Sequence, residues 1–259
     1  MNNPGLLRYG IGALGVAAAI CVWQFAAAVG PLAGSPLPTA SDAVLALVNL
    51  LASTVMWKAL LETIYMALLG LLIATVAGVL VGVGVGVSPL AMHATRVPLE
   101  FLKPIPPIVI LPVVVLVLGP TSAMGVLLVF IGCFVAIVVQ TAAGVFDADP
   151  VAKATGRSYG LSSGAVLARI VLPSALPYIG TAIRVAAPTS LIVAVVAGLL
   201  GGGPGLGQSL LLAQIAGNQP ELFAYVLILG ILGLIVQNIS QWSEQRLLHW
   251  HPQYRKQAL

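Results

Sequence analysis

Long apolar stretches alternate with short polar ones along most of the chain. Six of the apolar stretches are long enough to cross the hydrocarbon core of a bilayer, which takes about 20 residues in a helix. They cover approximately residues 6–29, 63–87, 99–118, 123–146, 170–200 and 222–243. The pattern predicts an all-α integral membrane protein with six transmembrane helices, organised as a single domain over residues 1–259.

The N-terminal part of the chain allows two interpretations. Arg8, an apolar run and Ala26-Ala27-Ala28 fit a signal peptide, but the run is long enough to span and further spans follow, which favours a retained helix. A second apolar run at residues 41–51 is too short to cross. For this run we expect a helix lying at the membrane interface.

Glycines mark the second span. Gly78, Gly82 and Gly86 are four residues apart and therefore lie on one helical face, with Gly70 eight residues earlier. Small residues at this spacing let helix backbones approach closely in lipid. The spacing favours packing inside the subunit over the alternative, an interface between subunits.

Prolines mark the third span, at positions 104, 106, 107 and 112. Such clustering excludes a regular helix, because each proline removes a backbone donor and leaves a carbonyl without its helical partner. In a membrane this is tolerated only against protein or a water-filled cavity. A kink and a segment lining a translocation path explain the prolines equally well.

Composition and charge agree with a membrane protein. With 59% hydrophobic and 7% charged residues, the chain lacks the roughly 25% charge of a soluble domain. If six spans put both termini on one side, Lys58 stands alone on the opposite face and Arg184 lies inside a span. The other basic residues then share the face of the termini: Arg8, Arg96, Lys103, Lys153, Arg157, Arg169, Arg246, Arg255 and Lys256. The positive-inside rule makes that face cytoplasmic.

One polar segment, residues 147–172, interrupts the second half of the chain. Asp149 precedes Pro150, which is an N-cap followed by a proline in the first helical turn. Gly160 ends this helix, a cap at Ser162 opens a second one, and Pro173 closes it. The sequence predicts two short helices that form a docking surface on one membrane face.

The spacing within this segment resembles a known motif. Gly160, nine intervening residues, Ile170, one residue and Leu172-Pro173 are similar to the EAA loop of ABC importer permeases, whose pattern is EAA, three residues, Gly, nine residues, I-x-L-P. The continuation through Tyr178 resembles the branch that imports sulfonates, taurine and nitrate. The resemblance covers residues 63–210.

Two positions depart from the pattern of that branch. Ala154-Thr155-Gly156 stands where the family has Glu-Ala-Ala, so the acidic residue is missing. Gly198 stands where the branch has an acid after Val-Val-Ala.

The resemblance implies a type I ABC importer permease fold in the cytoplasmic membrane, with cytoplasmic coupling helices. The implied partners are a second permease subunit, expected to be a second copy of this chain, two cytoplasmic ATPase subunits and an extracytoplasmic binding protein. Nucleic acid is not expected to bind. ATP and Mg are expected on the ATPase, with no cofactor, metal or catalytic residue on this chain. The residues expected to couple to the ATPase are Asp149, Arg157, Gly160, Leu161, Ser162, Leu172 and Pro173.

Arg184 is the most unusual residue of the spans. It lies eleven positions beyond Pro173, about 16 Å along a helix, which predicts a place near the bilayer midplane. A charge at that depth usually has a partner or an aqueous cavity. Arg184 is therefore either a pin bonded to freed carbonyls of a neighbouring helix or a group that attracts an anionic substrate. The residues predicted to line the pathway are Gln140, Arg184, Thr189 and Ser190.

Three classes of function can be compared. An enzyme is disfavoured because His93, His249 and His251 lack a carboxylate or nucleophile beside them, and a glycine-rich segment at 201–208 has Gln208 where a phosphate loop needs lysine. A secondary carrier or channel not coupled to ATP is disfavoured because the spans are expected to hold no buried Asp or Glu. The favoured function is the permease subunit of an ATP-driven importer that moves a small anionic solute by alternating access. A neutral or zwitterionic solute is the alternative within that class.

Overall fold

The computed structural model describes residues 4–250, with side chains from residue 10 onward. The side chain of Arg8 and the predicted basic tail with His251, Arg255 and Lys256 lie outside the described residues. The helices are α1 (Pro4–Ala28), α2 (Ala40–Leu51), α3 (Thr54–Gly86), α4 (Pro89–Leu102), α5 (Leu111–Leu118), α6 (Ser122–Phe146), α7 (Pro150–Ser158), α8 (Ser163–Val166), α9 (Leu172–Gly201), α10 (Leu206–Ile215) and α11 (Gln219–Leu247). A 3₁₀-helix at Pro107–Ile110 precedes α5, and a π-helix at Leu167–Val171 precedes α9.

The chain divides into two compact units. The larger unit contains Ala59–Gln208 and the chain from Ile231 onward, and the smaller unit contains the chain up to Lys58 and Ser209–Gly230. In the smaller unit the predicted run at 41–51 forms α2, capped by Thr39, whose hydroxyl oxygen accepts from the Asp42 N–H. The Trp23 indole donates to the Pro38 carbonyl at 3.0 Å and fastens α1 to the start of α2.

In the larger unit, a seam of small residues determines how α3 packs on α6. Four glycines of α3 touch α6 where a side chain would not fit: Gly70 against Val129, Gly78 against Ile137, Gly82 against Thr141 and Gly86 against Val145. The partner positions rise in step with the glycine positions, so α3 and α6 run parallel. The interpretation of the glycines as packing inside the subunit is confirmed.

Because α3 and α6 are parallel, the chain between them must return across the unit. It does so along α6: α4 lies beside Val139 and Phe146, Pro107 lies against Gly132, and α5 shares a core cluster with Met124. The helical segments on either side of residues 103–106 are bent by 77°. Counted as one broken span, the bent pair and the five other long apolar helices among the described residues give six candidate spans, the number that hydropathy predicts.

Two helices extend beyond the predicted apolar spans. Between the second and third spans, α4 begins at Pro89, with the Ser88 hydroxyl accepting from the Ala91 N–H at 3.3 Å. The second span was predicted from residue 63, but α3 begins at Thr54. Its first turns carry Lys58 and Glu62, so the helix extends beyond its apolar part.

The central helix pair of the larger unit is α6 with α9, packed antiparallel. Gly144 touches Tyr178 near one end of the pair, and Gly132 touches Val193 farther along. Buried apolar side chains fill the space between the two helices, among them Cys133, Ile137, Ala182 and Ala186. This packing places the loop between α6 and α9 at the end of the unit where α3 terminates and α4 begins.

Candidate functional site

The loop between α6 and α9 contains the two short helices that the sequence predicts. The Asp149 carboxylate accepts from the Val151 N–H at 2.8 Å and caps α7, and the Ser162 hydroxyl accepts from the Ala165 N–H at 3.3 Å and caps α8. Gly160 has a φ of +81°, a conformation that glycine adopts without steric penalty. The predicted caps and the reversal at Gly160 are therefore confirmed.

The predicted end of the second helix is wrong. Instead of closing at Pro173, α8 continues through a π-helical turn directly into α9, in which Pro173 occupies the first turn. The Leu172 N–H bonds to the carbonyl of Leu167, five residues earlier. Because this turn is wider than an α-helical one, we infer that it accommodates the proline ring that would otherwise clash with the preceding carbonyl.

The inner face of α7 is packed against α8 and the π-helical turn. Gly156 is buried, and a Cβ there would lie 2.6 Å from Ile170 Cδ1. Leu161 and Ile170 pack on a buried cluster that includes Val166 and Ala175. The apolar contacts hold α7 in place and leave Ala154 and Arg157 exposed, on the surface available to a partner.

A polar contact ties the start of the loop to α9. The Tyr178 hydroxyl donates to Asp147 Oδ2 at 3.3 Å, and the Tyr178 ring lies against Gly144 of α6. The loop is therefore joined to the spans at both of its ends, by this contact and by the continuous helix into α9.

Arg184, the charged residue of the fifth span, forms an ion pair. Its Nε lies 3.2 Å from Glu244 Oε2, and the side chains are 36% and 2% exposed respectively. The Thr181 hydroxyl donates to Glu244 Oε1 at 2.9 Å, from the same face of α9. The ion-pair contact lacks the alignment of a hydrogen bond, so Oε2 is buried without a hydrogen-bond partner in the described part of the chain.

This pair corrects one expectation. Glu244 lies three residues before the end of α11, a 29-residue helix, so Arg184 is level with one end of that helix. The depth of Arg184 in the bilayer stays a prediction. The spans were expected to hold no buried acid, but Glu244 is buried within α11, and Glu62 of α3 accepts a hydrogen bond from Ser122 at 2.9 Å. Glu244 was missed because the sixth span was ended at Ser243. The absence of a buried acid therefore no longer argues against a secondary carrier.

The other predicted pathway residues are not joined to this pair. Gln140 is exposed on α6, and Thr189 and Ser190 donate their hydroxyls to the carbonyls of Val185 and Ala187 on their own helix. No hydrogen bond or ion pair links these three residues to Arg184 within the described chain. Their role in a pathway stays a prediction.

The glycine-rich segment is a packed connection at the opposite end of α9. The Leu206 N–H donates to the Thr63 hydroxyl at 2.8 Å, and the Gln208 amide donates to the Gly202 carbonyl at 3.1 Å. A Cβ on Gly198 would lie 3.1 Å from the backbone nitrogen of Gln208. The backbone of this segment thus lies close to Gly198, and a side chain there would require the segment to shift by a few tenths of an ångström.

The membrane helices, the bent third span and the helical loop before α9 define a transporter permease. Residues 74–249 match the family described as the binding-protein-dependent transport system inner membrane component, and the chain belongs to this family. Members of this family are the multi-pass inner-membrane permeases of ABC importers, which work with ATPase and binding-protein partners. They are translocation components, and no enzymatic family is indicated.

Several curated permeases are similar to the chain over most of its length. SsuC of Bacillus subtilis (strain 168), whose name assigns it to aliphatic sulfonates transport, is 27% identical over 98% of this chain and 92% of its own. The taurine transport system permease protein TauC of Escherichia coli (strain K12) is 27% identical over 76% of this chain and 71% of its own. The nitrate import permease protein NrtB of Leptolyngbya laminosa is 27% identical over 69% of this chain and 64% of its own.

The solved structures agree on the fold. An inward-facing structure of the MetNI methionine ABC transporter superposes with a TM-score of 0.65 at 19% identity, covering 75% of this chain and 98% of that one. The type I permease fold is thereby established.

Proposed function

We propose that the chain is the permease subunit of an ATP-driven importer for a small anionic solute of the sulfonate, taurine or nitrate type. Family membership carries the transport function. The names of the relatives, all near 27% identity, support the class of solute. Alternating access moves the solute inward, with ATP and Mg bound by the separate ATPase.

The loop at residues 147–172 supports coupling to that ATPase. It is capped at both short helices, packed from within, and continuous with α9, so a force applied to α7 reaches a span without passing a flexible joint. The predicted coupling residues Asp149, Gly160 and Ser162 build its turns and caps, whereas Arg157 faces outward.

We further propose that this loop and both termini are cytoplasmic. The basic residues in and next to α4, α7 and the π-helical turn lie toward one end of the larger unit, four of them exposed and Lys153 half-buried: Arg96, Lys103, Lys153, Arg157 and Arg169. An excess of Lys and Arg in loops marks the cytoplasmic face. The proposed assembly contains two copies of this chain, since six spans with one coupling loop supply half of a pathway and one ATPase contact.

A zwitterionic solute is the second candidate, and the ion pair favours it. Arg184 is already neutralised by the buried Glu244, so the pair has no net charge that would attract an anion. Taurine, the solute in the name of one relative, carries both an ammonium and a sulfonate group. A solute without net charge does not require an unpaired cation in the pathway.

Deletion of the chain in its host and complementation with the intact sequence test the function. Growth on taurine or an alkanesulfonate as sulfur source, and on nitrate as nitrogen source, reports each solute. We expect the deletion to abolish growth on one of these and the intact chain to restore it. Uptake that survives ATP depletion but is lost on adding a protonophore would show a secondary carrier instead.

Gly160→Asp tests the coupling role of the loop, and Gly164→Asp in α8 is its matched control. The backbone at Gly160 has a positive φ, which is unfavourable for a residue with a side chain. Gly164 does not have a positive φ, and nothing lies within 4 Å of a Cβ there. Placing a non-glycine residue in that conformation costs up to about 1–2 kcal/mol, with Asp at the low end, and a distorted turn would tilt α7. We expect Gly160→Asp to lower uptake while the protein still inserts, and Gly164→Asp to retain it. Equal uptake by the two variants would contradict a role of the loop in coupling.

A further inference from the structure

The helix α4 is unlike the other helices that line α6. None of its residues is buried, although it is fourteen residues long and belongs to a membrane span. Leu90, Val97 and Phe101 are 81%, 72% and 71% exposed. Their spacing of seven and four places them on one face of the helix.

A second face of α4 is polar. His93, Arg96, Glu100 and Lys103 follow one another at intervals of three and four residues, beside the exposed apolar face. An amphipathic helix with basic residues next to an exposed apolar face is typical of a helix at the boundary between headgroups and acyl chains.

Between α4 and α6 lies a groove of about 250 Å³. Its walls are apolar on the α6 side, where Val139, Ala142 and Phe146 line it, and its rim is formed by the polar face of α4. The groove lies at the end of α6 that leads into the 147–172 loop, where the span meets water.

The charges at the rim leave basic groups available. Arg96 Nε contacts Glu100 Oε1 at 3.0 Å, and because both side chains are mostly exposed this pair contributes little stability and leaves the guanidinium Nη groups unused. Lys103 and His93 have no ion pair or side-chain hydrogen bond among the described residues. Because Arg96 neutralises the charge of Glu100, the groove has the net positive charge of Lys103.

We propose that this groove binds an anionic phospholipid, with the phosphate at Lys103, Arg96 and His93 and an acyl chain along Val139 and Phe146. The lipid fits both halves of the groove, since a phosphodiester pairs with the basic rim and a hydrocarbon chain with the apolar wall. A small soluble anion would leave the apolar wall exposed to water. The proposal does not depend on which solute the protein transports.

The test measures lipid retained by the purified full-length chain in nanodiscs of phosphatidylcholine with a minor fraction of phosphatidylglycerol, using native mass spectrometry. Lys103→Gln removes the unpaired cation of the groove, and Lys153→Gln, which removes the same charge at the same end outside the groove, is the control. One basic group near the membrane surface contributes about fivefold to retention. We therefore expect Lys103→Gln to retain about fivefold less phosphatidylglycerol and Lys153→Gln to match the unmodified chain.

Three outcomes would overturn the proposal. Equal losses in the two variants would show diffuse attraction without a site. Displacement of phosphatidylglycerol by millimolar glycerol phosphate would assign the groove to a soluble anion. A disulfide between two Phe101→Cys chains that forms in full yield and excludes phosphatidylglycerol would show that a second copy of the chain covers this face.

Discussion

The two sides of α6 differ in how completely other helices of the chain cover them. Toward α3, four glycines allow the backbones to touch, and side chains such as Val138 and Thr141 are fully buried. Toward α4, a groove remains, and the helix that borders it has no buried residue.

The difference separates contacts that the fold completes from surfaces that it leaves for another molecule. On the α3 side the contact is made by close packing of the two helices. Between α9 and α11 it includes the ion pair of Arg184 and Glu244. Surfaces left open include α4 and the outer face of α7. Substitutions on the completed side should alter stability, and substitutions on the open side should alter binding.

Gly82→Val should have the largest effect. A Cβ at Gly82 would lie 2.6 Å from Thr141 Cβ and 2.8 Å from the Val138 carbonyl oxygen, so α3 must move away from the α6 backbone. Overpacking of this kind costs about 3 kcal/mol. Gly84→Val on the same helix is the control, because nothing lies within 4 Å of a Cβ there. The melting temperature in detergent should decrease strongly for Gly82→Val alone. Equal decreases in the two variants would contradict the close contact of α3 with α6 at Gly82.

Arg184→Gln should have the second largest effect and lower the free energy of unfolding by about 2 kcal/mol. The Glu244 carboxylate would stay buried with the Thr181 hydroxyl as its remaining partner, although the partial exposure of Arg184 reduces the cost below that of a fully buried pair. The double variant Arg184→Gln with Glu244→Gln should recover most of the loss, because no buried charge remains. The measurement is again thermal unfolding.

Transport by the same double variant decides the role of Arg184. If Arg184 attracts the solute, the double variant should fold but fail to import an anion, in the growth assay described above. Recovery of both stability and import would leave the pair a purely structural contact between α9 and α11.

Ala154→Glu should change little. Ala154 is exposed on α7 and stands where the family has its acid, between Lys153 and Arg157. An exposed charge pair contributes at most about 1 kcal/mol, which is about fivefold in an equilibrium constant, and we expect a smaller change than this in ATPase binding. Co-purification of the ATPase with each variant measures it. A large gain would show that the ATPase keeps the basic contact of the family and that the motif here is incomplete.

Val97→Ser should have the smallest effect on stability, within about 0.5 kcal/mol, because the side chain is exposed on α4. The same substitution at Val138, which is 1% exposed on α6, is the matched control and should cost about 2 kcal/mol. Equal losses on thermal unfolding in detergent would mean that α4 is covered within the single chain.

The sequence was sufficient where local chemistry decides the structure. Hydropathy gave the six spans, and the caps at Asp149 and Ser162 and the reversal at Gly160 follow from side-chain and backbone preferences of single residues. The start of α4 could also have been predicted, since Ser88-Pro89 is the same kind of signal as Asp149-Pro150. It was missed because the following residues are polar.

Contacts between distant segments could not be predicted in this way. Arg184 required a partner, but nothing in the sequence indicates that Glu244, sixty residues later and beyond the apolar run, reaches it. The role of Gly198 is similar, because the backbone that lies close to it comes from the fold of residues 202–208. Hydropathy also ends a span where charge begins, whereas α3 and α11 extend beyond their apolar parts as helices.

The π-helical turn before α9 has a consequence for motion. A π turn holds one residue more than an α turn, and removing that extra residue from the turn would rotate everything beyond it by about 100° and shift it by about 1.5 Å. The helix runs unbroken from Ser163 to Gly201, so such a register change near the loop would carry Arg184 away from Glu244. The single extra residue in this turn thus sets the angular position of α9, and with it the Arg184–Glu244 pair, relative to α8.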